Sequence, residues 1–430
     1  MHKGLKLNVL SQWQTVTAFP ADIFKLDNGL TMIHQYIPAT PVAVVDVWVK
    51  AGAVREPDRW SGMAHFLEHM IFKGTDKVPP GAFDQVVENT GGMTNAATSH
   101  DYAHFFITTA VPYLEDTLPY LAELLLGASI PDDEFERERD VVLEEIRGAY
   151  DNPDWLGFQA LLEGVYQCHP YGRPVLGTEE KLWQHSPEDM RRFHASHYQP
   201  ENMTVVVVGG ISQTVALELV NQSFQNFTTR SDCPRFEAEA EPPITEIRRQ
   251  ELCLPRLEHA RLMMGWVGPG VDQIRDAYGL DLISVLLAEG RASRLVRELR
   301  EELQLVHGIS SSFSLQQDSS LFTIGVHLEP QHLERVEALI CSRLLELHNQ
   351  PVTDAELARC KRLLCNDYAF STEAPCQLAG LYGYYNTITS AEISVTYPYQ
   401  IQSFQPWDIQ QLIQQYISPE RYAVTVLKPF

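Results

Sequence analysis

His65-Phe66-Leu67-Glu68-His69 sets two imidazoles four residues apart with a carboxylate beside the second. On a helix of about 3.6 residues per turn, residues four apart stack one turn above the other, so both imidazoles can reach one cation. A glutamate on the same face can hold a water beside that cation and take its proton. The order His-x-x-Glu-His inverts the His-Glu-x-x-His zinc helix. Tetrahedral zinc with one position open to water needs one more protein ligand, commonly a carboxylate.

Those residues need an element to hold them. Met63, Phe66, Leu67, Met70 and Ile71 fall at i, i+3, i+4, i+7 and i+8, an apolar stripe that predicts a helix over Ser61 to Phe72. His65, Glu68 and His69 then share a different face. A second helix is expected from near Pro131, where proline and Asp132, Asp133 and Glu134 suit a helix start, to about Arg147. On it Glu138, Val141, Val142 and Glu145 lie at i, i+3, i+4 and i+7, so two carboxylates share a face with valines. A carboxylate on an apolar face is costly unless it is paired or bound to metal. Glu145 is therefore the expected third ligand, and Glu138 is expected to hydrogen-bond a ligating histidine and tune its basicity. Either half alone is weak, because His-x-x-Glu-His arises by chance and a lone glutamate is usually solvated; their joint occurrence carries the reading. His34, His100, His104 and His194 have no such partners and read as surface or satisfied core residues.

The remaining elements suggest one architecture written twice. Phe24 to Ile37 carries an Asp27-Asn28-Gly29 turn between extended stretches, Val42 to Val49 reads as a strand, and Pro112 to Leu126 has helical spacing. Between Thr228 and Thr245 the composition turns to Pro and acidic residues, the best linker candidate. Beyond it His259 to Val267 matches the strand Val42 to Val49, and Ala277 to Ala288 takes the place of the helix at Ser61. Leu305 to Val326 mirrors Gly91 to Thr108, and Thr353 to Leu364 matches the helix after Pro131. The expected fold is α+β, with two homologous domains, each a mostly antiparallel sheet packed with helices. The expected boundaries are 1–228, a linker 229–245, and a metal-free second domain 246–430.

A chain of 430 residues exceeds one ordinary core. Its formal charge of −23 argues against nucleic acid or an anionic membrane as partner and favours cationic substrates, although acidity also serves solubility alone. Met1 to Val16 lacks a sustained apolar stretch and a small-residue cleavage site, so no secretory signal is expected. No window approaches the length of a membrane span. The seven scattered cysteines contain no Cys-x-x-Cys pair, which fits a reduced, cytoplasmic setting.

Taken in order, the motifs resemble the pitrilysin/insulinase-type inverzincins, especially the branch of mitochondrial processing peptidase and its bacterial relatives. The resemblance spans nearly the whole chain. It rests on Leu26-Asp27-Asn28-Gly29-Leu30, Ala51-Gly52-Ala53, the run Gly62 to Thr75, Gly91-Gly92-Met93-Thr94-Asn95-Ala96 and the run Glu138 to Ile146. Pro170 to Gly177 and Gly290-Arg291-Ala292-Ser293-Arg294-Leu295 add to it, as does the 76-residue separation of His69 and Glu145.

The resemblance implies a zinc metalloendopeptidase with one Zn2+ per chain, held in the first domain, and two domains facing each other across a closed cavity. Gly91 to His100 matches the family's edge strand, to which an extended peptide adds by main-chain hydrogen bonds. Asn95 and Ala96 would lie nearest the scissile bond; read without the family, Asn95 is a turn residue after Gly91-Gly92. Arg300 matches a substrate-holding arginine of the second domain, or else is one of several charged residues on a helix surface. His307 stands where the family carries a tyrosine. Chains of this length resemble half of the longer insulinase-type enzymes, which implies a dimer, with a homologous subunit that keeps the tyrosine or, second in order, with itself. Two other readings are a non-catalytic scaffold subunit of a larger complex and a metal-dependent hydrolase of small molecules. The intact charged trio weighs against the first, and the duplicated half with its edge strand weighs against the second.

Overall fold

The computed structural model describes residues 18–231, 238–255 and 257–430. The N-terminal reading of Met1 to Val16 and the middle of the expected linker lie outside them. Two compact units form: one includes Pro20–Pro242 and Ser371–Ala391, the other Pro243–Phe370 and Glu392–Phe430. Each is built on one sheet, and the fold is α+β with mostly antiparallel strands packed with helices.

In the first unit the strands are β1 (Asp22–Lys25), β2 (Thr31–Tyr36), β3 (Val42–Val49), β4 (Met93–Thr98), β5 (Ala103–Ala110) and β6 (Met203–Gly209), in the order β1-β2-β6-β3-β5-β4. Only β2 and β6 run parallel. The sequence of β6, Met-Thr-Val-Val-Val-Val-Gly, is buried throughout. Such a run of valines suits a strand covered on both faces. By contrast β5 alternates buried with half-buried residues, and β4, the terminal strand, alternates half-buried with exposed ones. Four helices of this unit matter below: α1 (Met63–Ile71), α2 (Ala82–Asn89), α3 (Leu114–Gly127) and α4 (Asp132–Tyr150).

The second unit holds β7 (Arg248–Leu254), β8 (Ala260–Pro269), β9 (Val306–Leu315), β10 (Ser319–Leu328) and β11 (Ala423–Pro429), in the order β7-β11-β8-β10-β9. Strand for strand this repeats β2-β6-β3-β5-β4, down to the single parallel pair, β7 with β11. The helix Ile274–Ala288 is buried along nearly its whole length, and Leu333–Asn349 and Asp354–Phe370 follow as two more long helices.

One helix of the second half leaves this pattern. Pro375–Ile388 packs against β3 and β6 of the first sheet, covering the face opposite α1 to α4. The close approach depends on Gly383, because a Cβ there would stand 2.0 Å from Nε1 of the buried Trp48. Tyr382 donates its hydroxyl to Gln35 and Asn386 its amide to Thr204, which fixes the helix along the sheet.

Candidate metal centre

Helix α1 starts two residues later than its periodicity suggested, because Gly62 adopts a left-handed conformation (φ 90°) and breaks the chain from Ser61. A side chain at Gly62 would also meet Leu176 O at 2.8 Å. The first turn is held by Glu56, whose two carboxylate oxygens accept from the backbone N–H groups of Gly62 (2.9 Å) and Ala64 (2.7 Å). Its oxygens satisfy two of the helix's orphan donors there. Burial pushes the Glu56 carboxyl up to about 8, against the pull of those two amides.

The buried side of α1 carries Met63, Phe66, Leu67, Met70 and Ile71 into the core. His65 and His69 face α4, with ring centroids 4.8 Å apart. Glu145 of α4 reaches both: its Oε2 lies 3.7 Å from His65 Nε2 and 3.5 Å from His69 Nε2. One ligand atom from each of the three lies within 4.8 Å of the others. Two neutral imidazoles and a carboxylate are a donor set that zinc takes with a fourth position left for water. Nδ1 of His65 is buried with no hydrogen-bond partner among the described residues.

Glu138, two helical turns before Glu145 on α4, holds the far side of His69, with Oε1 2.9 Å from Nδ1. Lys73 donates to the other oxygen of Glu138 at 2.5 Å. A carboxylate in this position fixes which imidazole nitrogen carries the proton and makes the other a better electron-pair donor. Burial alone would raise the Glu138 carboxyl, but hydrogen bonds from His69 and Lys73 hold it below the ordinary value. The hydrogen bond to His69 likewise holds Glu145 low. Burial, with His69 nearby, lowers His65 to about 4. His69 is also opposed by burial, yet Glu138 and Glu145 outweigh it and raise the imidazole to about 9.

Glu68 stands on the same helix and accepts from the hydroxyl of Thr98 on β4 (2.6 Å). Burial raises its carboxyl and the Thr98 hydrogen bond opposes the rise. A carboxylate whose proton affinity is raised by burial is a better base than an exposed one.

Edge strand β4 therefore borders the centre. Thr94, Ala96 and Thr98 share the half-buried face, while Asn95 points to the opposite, exposed face. The Asn95 side-chain oxygen accepts from the Ala96 N–H at 3.0 Å. Arg300 and His307 belong to the other unit. Arg300 lies in a π-helical segment, Val296–Glu302, and donates to the adjacent Glu301. His307 Nε2 lies 3.1 Å from Glu329, and its ring stacks on His259. His34 and His194 meet the backbone carbonyls of Ile211 and Leu125, His100 that of Arg173, and His104 the carboxylate of Asp46.

Glu145 does not lie on the apolar face expected of it. Glu138 is 7% exposed, but Val141 is 51% exposed and the Glu145 side chain 46%, so Glu145 does not share an apolar face with both valines. The buried stripe of α4 runs through Phe135, Glu138, Arg139, Val142 and Ile146, and Glu145 sits at its margin, turned toward α1. Sequence reasoning also missed Glu56 and Thr98. A period-two reading of β4 from Ala96 would have put Thr98 on the inner face; Glu56, six residues before Gly62 and outside the helix, left no periodic signal.

Two models of a single peptidase family match this chain: "Insulinase (Peptidase family M16)" over residues 31–179 and "Peptidase M16 inactive domain" over residues 185–364. Together they cover well over half of it, and the chain belongs to the M16 (insulinase/pitrilysin) family of zinc proteases. The match to the inactive domain falls on the half without a His-x-x-Glu-His helix. Among relatives, the zinc protease PqqE of Helicobacter pylori is 29% identical over 411 residues, 94% of this chain and 92% of that protein. An uncharacterized zinc protease of Bacillus subtilis, YmxG, is 26% identical over 351 residues, 82% and 84% of the two chains. The crystal structure of a protease from Helicobacter pylori superposes with a TM-score of 0.89 at 28% identity, over 96% of this chain and 100% of that one. Pitrilysin shares the fold, with a TM-score of 0.79 at 18% identity over 95% of this chain and 44% of its own. Among the described residues no helix is long and apolar enough to cross a membrane.

Proposed function

We propose that the chain is a zinc metalloendopeptidase in which His65, His69 and Glu145 hold one Zn2+ and Glu68 is the general base. The observation that carries this reading is the convergence of the three donor atoms within 4.8 Å across two packed helices, with Glu68 on the same helix as both histidines. Zinc, when bound, lowers the pKa of its water toward about 7 and polarises a carbonyl. Glu68 takes the water proton and returns it to the leaving amine, without a covalent intermediate. Thr98 keeps the Glu68 carboxylate turned and available, and Glu138 keeps Nε2 of His69 free to ligate.

The substrate is an unfolded peptide or presequence-like segment that adds as a strand to β4, over Gly91 to His100. The terminal place of β4 in its sheet supports this, because an unpaired strand edge is a template for another strand. The incoming backbone would replace the contact between Asn95 and the Ala96 N–H. Arg300 is the proposed contribution of the second domain, and His307, in the position of the family's tyrosine, is not counted on to complete the site. Because His307 is already engaged by Glu329 and His259, the partner we favour is a homologous subunit that supplies the tyrosine, with a homodimer second. Addition of such a subunit should raise a weak intrinsic activity severalfold or more.

Zinc-edge anomalous scattering from crystals grown with zinc tests the centre. The expected peak lies about 2.0–2.2 Å from His65, His69 and Glu145. Crystals with those three side chains ordered and no peak between them would overturn the assignment.

A further inference from the structure

A second set of metal-ligating side chains lies in the other half of the chain, outside the centre described above. Strand β10 runs between β8 and β9, and three residues meet at one end of these strands. His259 immediately precedes β8, and Glu329 immediately follows β10, whose last residue, Leu328, pairs with Ala260 at the start of β8. On the other side, His327 pairs with Gly308 and Leu328 with Val306, so His307 is the extra residue of a bulge. A bulge re-aims the side chain of the residue it leaves unpaired. The result is that the His259 and His307 rings lie side by side, with the Glu329 carboxylate against His307.

The geometry is that of potential ligands. His307 Nε2 is 3.1 Å from Glu329 Oε1, the two imidazoles stack at 4.4 Å with planes 27° apart, and one donor atom from each residue lies within 4.8 Å of the others. Nδ1 of His259 is buried with no hydrogen-bond partner among the described residues. A plain His–Glu surface pair needs no second imidazole, and a buried nitrogen without a partner is costly. The main chain at His259 is fixed by Arg261, which donates to its carbonyl at 2.9 Å. Tetrahedral donors about 2.0–2.1 Å from an ion stand about 3.4 Å apart, so the set closes on an ion by shifts of about 1.4 Å or less. His307 and Glu329 are half exposed, which leaves entry for an ion and room for water as the remaining ligand.

We propose that His259, His307 and Glu329 form a second binding site for a borderline divalent cation, Zn2+ or its Co2+ and Ni2+ analogues, as two imidazoles and one carboxylate favour. The ion clips together the ends of three adjacent strands and commits His307 to metal coordination. The site is independent of the peptidase centre, and the experiment separates the two. The full chain carrying His65→Ala and His69→Ala is titrated with Co2+ and Zn2+, with metal counted per chain and visible absorption followed for Co2+.

The expected result is one bound ion per chain, a Co2+ ligand-field spectrum and a zinc-dependent rise in melting temperature. Adding His259→Ala and His307→Ala should abolish all three. Should that combination fail to fold, Glu329→Gln alone, which keeps a hydrogen-bonding side chain, should weaken Co2+ binding about tenfold or more. Absence of a bound ion in the first variant would overturn the proposal, as would an ion that persists when His259 and His307 are replaced. If instead the peptidase centre were misassigned, the wild type and the His65→Ala/His69→Ala chain would bind the same number of ions.

Discussion

Glu138 touches neither water nor substrate in this account, so its effect should fall on metal affinity. It holds His69 at 2.9 Å and is itself held by Lys73. Glu138→Gln keeps the shape but removes the charge that raises the basicity of His69. Zinc affinity should drop about 10–100-fold, measured by competition with a chromophoric chelator. An unchanged affinity would mean that His69 needs no such support. The spacing of His65, Glu68 and His69 could be read from the sequence because all three ride on one helix whose apolar stripe fixes their direction. Thr98 and Lys73 could not be assigned roles that way. A threonine hydroxyl and a lysine acquire their parts only when β4 and α4 are brought beside α1, and nothing local encodes those contacts.

At the scale of elements, the centre depends on where α1 begins. Glu56 ties the chain before Gly62 to the first helical turn, and Glu56→Ala leaves two buried amides without an acceptor. The expected loss is about 1–3 kcal/mol of stability in urea unfolding, together with lower zinc occupancy, because both histidines sit within two turns of that cap. A stability within error of wild type would show that water replaces the carboxylate at no cost. In the second unit, Arg294 holds Glu356 through two hydrogen bonds (2.9 and 3.0 Å) at the start of the helix Asp354–Phe370. That pairing lowers the Glu356 carboxyl from 4.5 to about 2. A depressed carboxylate contributes stability that is complete above pH 4.5 and lost as the pH falls toward 2. Glu356→Gln should therefore destabilise the chain at pH 7 and make little difference near pH 2; equal destabilisation at both would dismiss the ion pair as the cause. The element order and its repetition were legible because extended and helical segments recur in the same order in both halves. The destination of Pro375–Ile388 was not. Its apolar composition demands burial, but the fit of Gly383 against Trp48 and the hydrogen bonds to Gln35 and Thr204 select the first sheet, and those are relations between residues far apart in the chain.

For the molecule as a whole, the charge of −23 bears on which peptides it draws in. Lys- and Arg-rich peptides should show a lower KM than acidic ones of equal length at low ionic strength. The gap should narrow as salt rises toward about 0.15 M, where the screening length is about 8 Å. Equal KM values at low salt would remove the electrostatic part of the account and leave the zinc centre untouched. The centre itself is tested most directly by zinc content and fluorogenic-peptide hydrolysis measured together on the wild type and Glu68→Gln. Glu68 is assigned no bond to the metal, so the variant should keep the wild-type zinc content while hydrolysis falls about 10²–10⁴-fold. Wild-type hydrolysis by Glu68→Gln, or loss of its zinc, would contradict the assignment of Glu68 as the base beside a metal held by His65, His69 and Glu145.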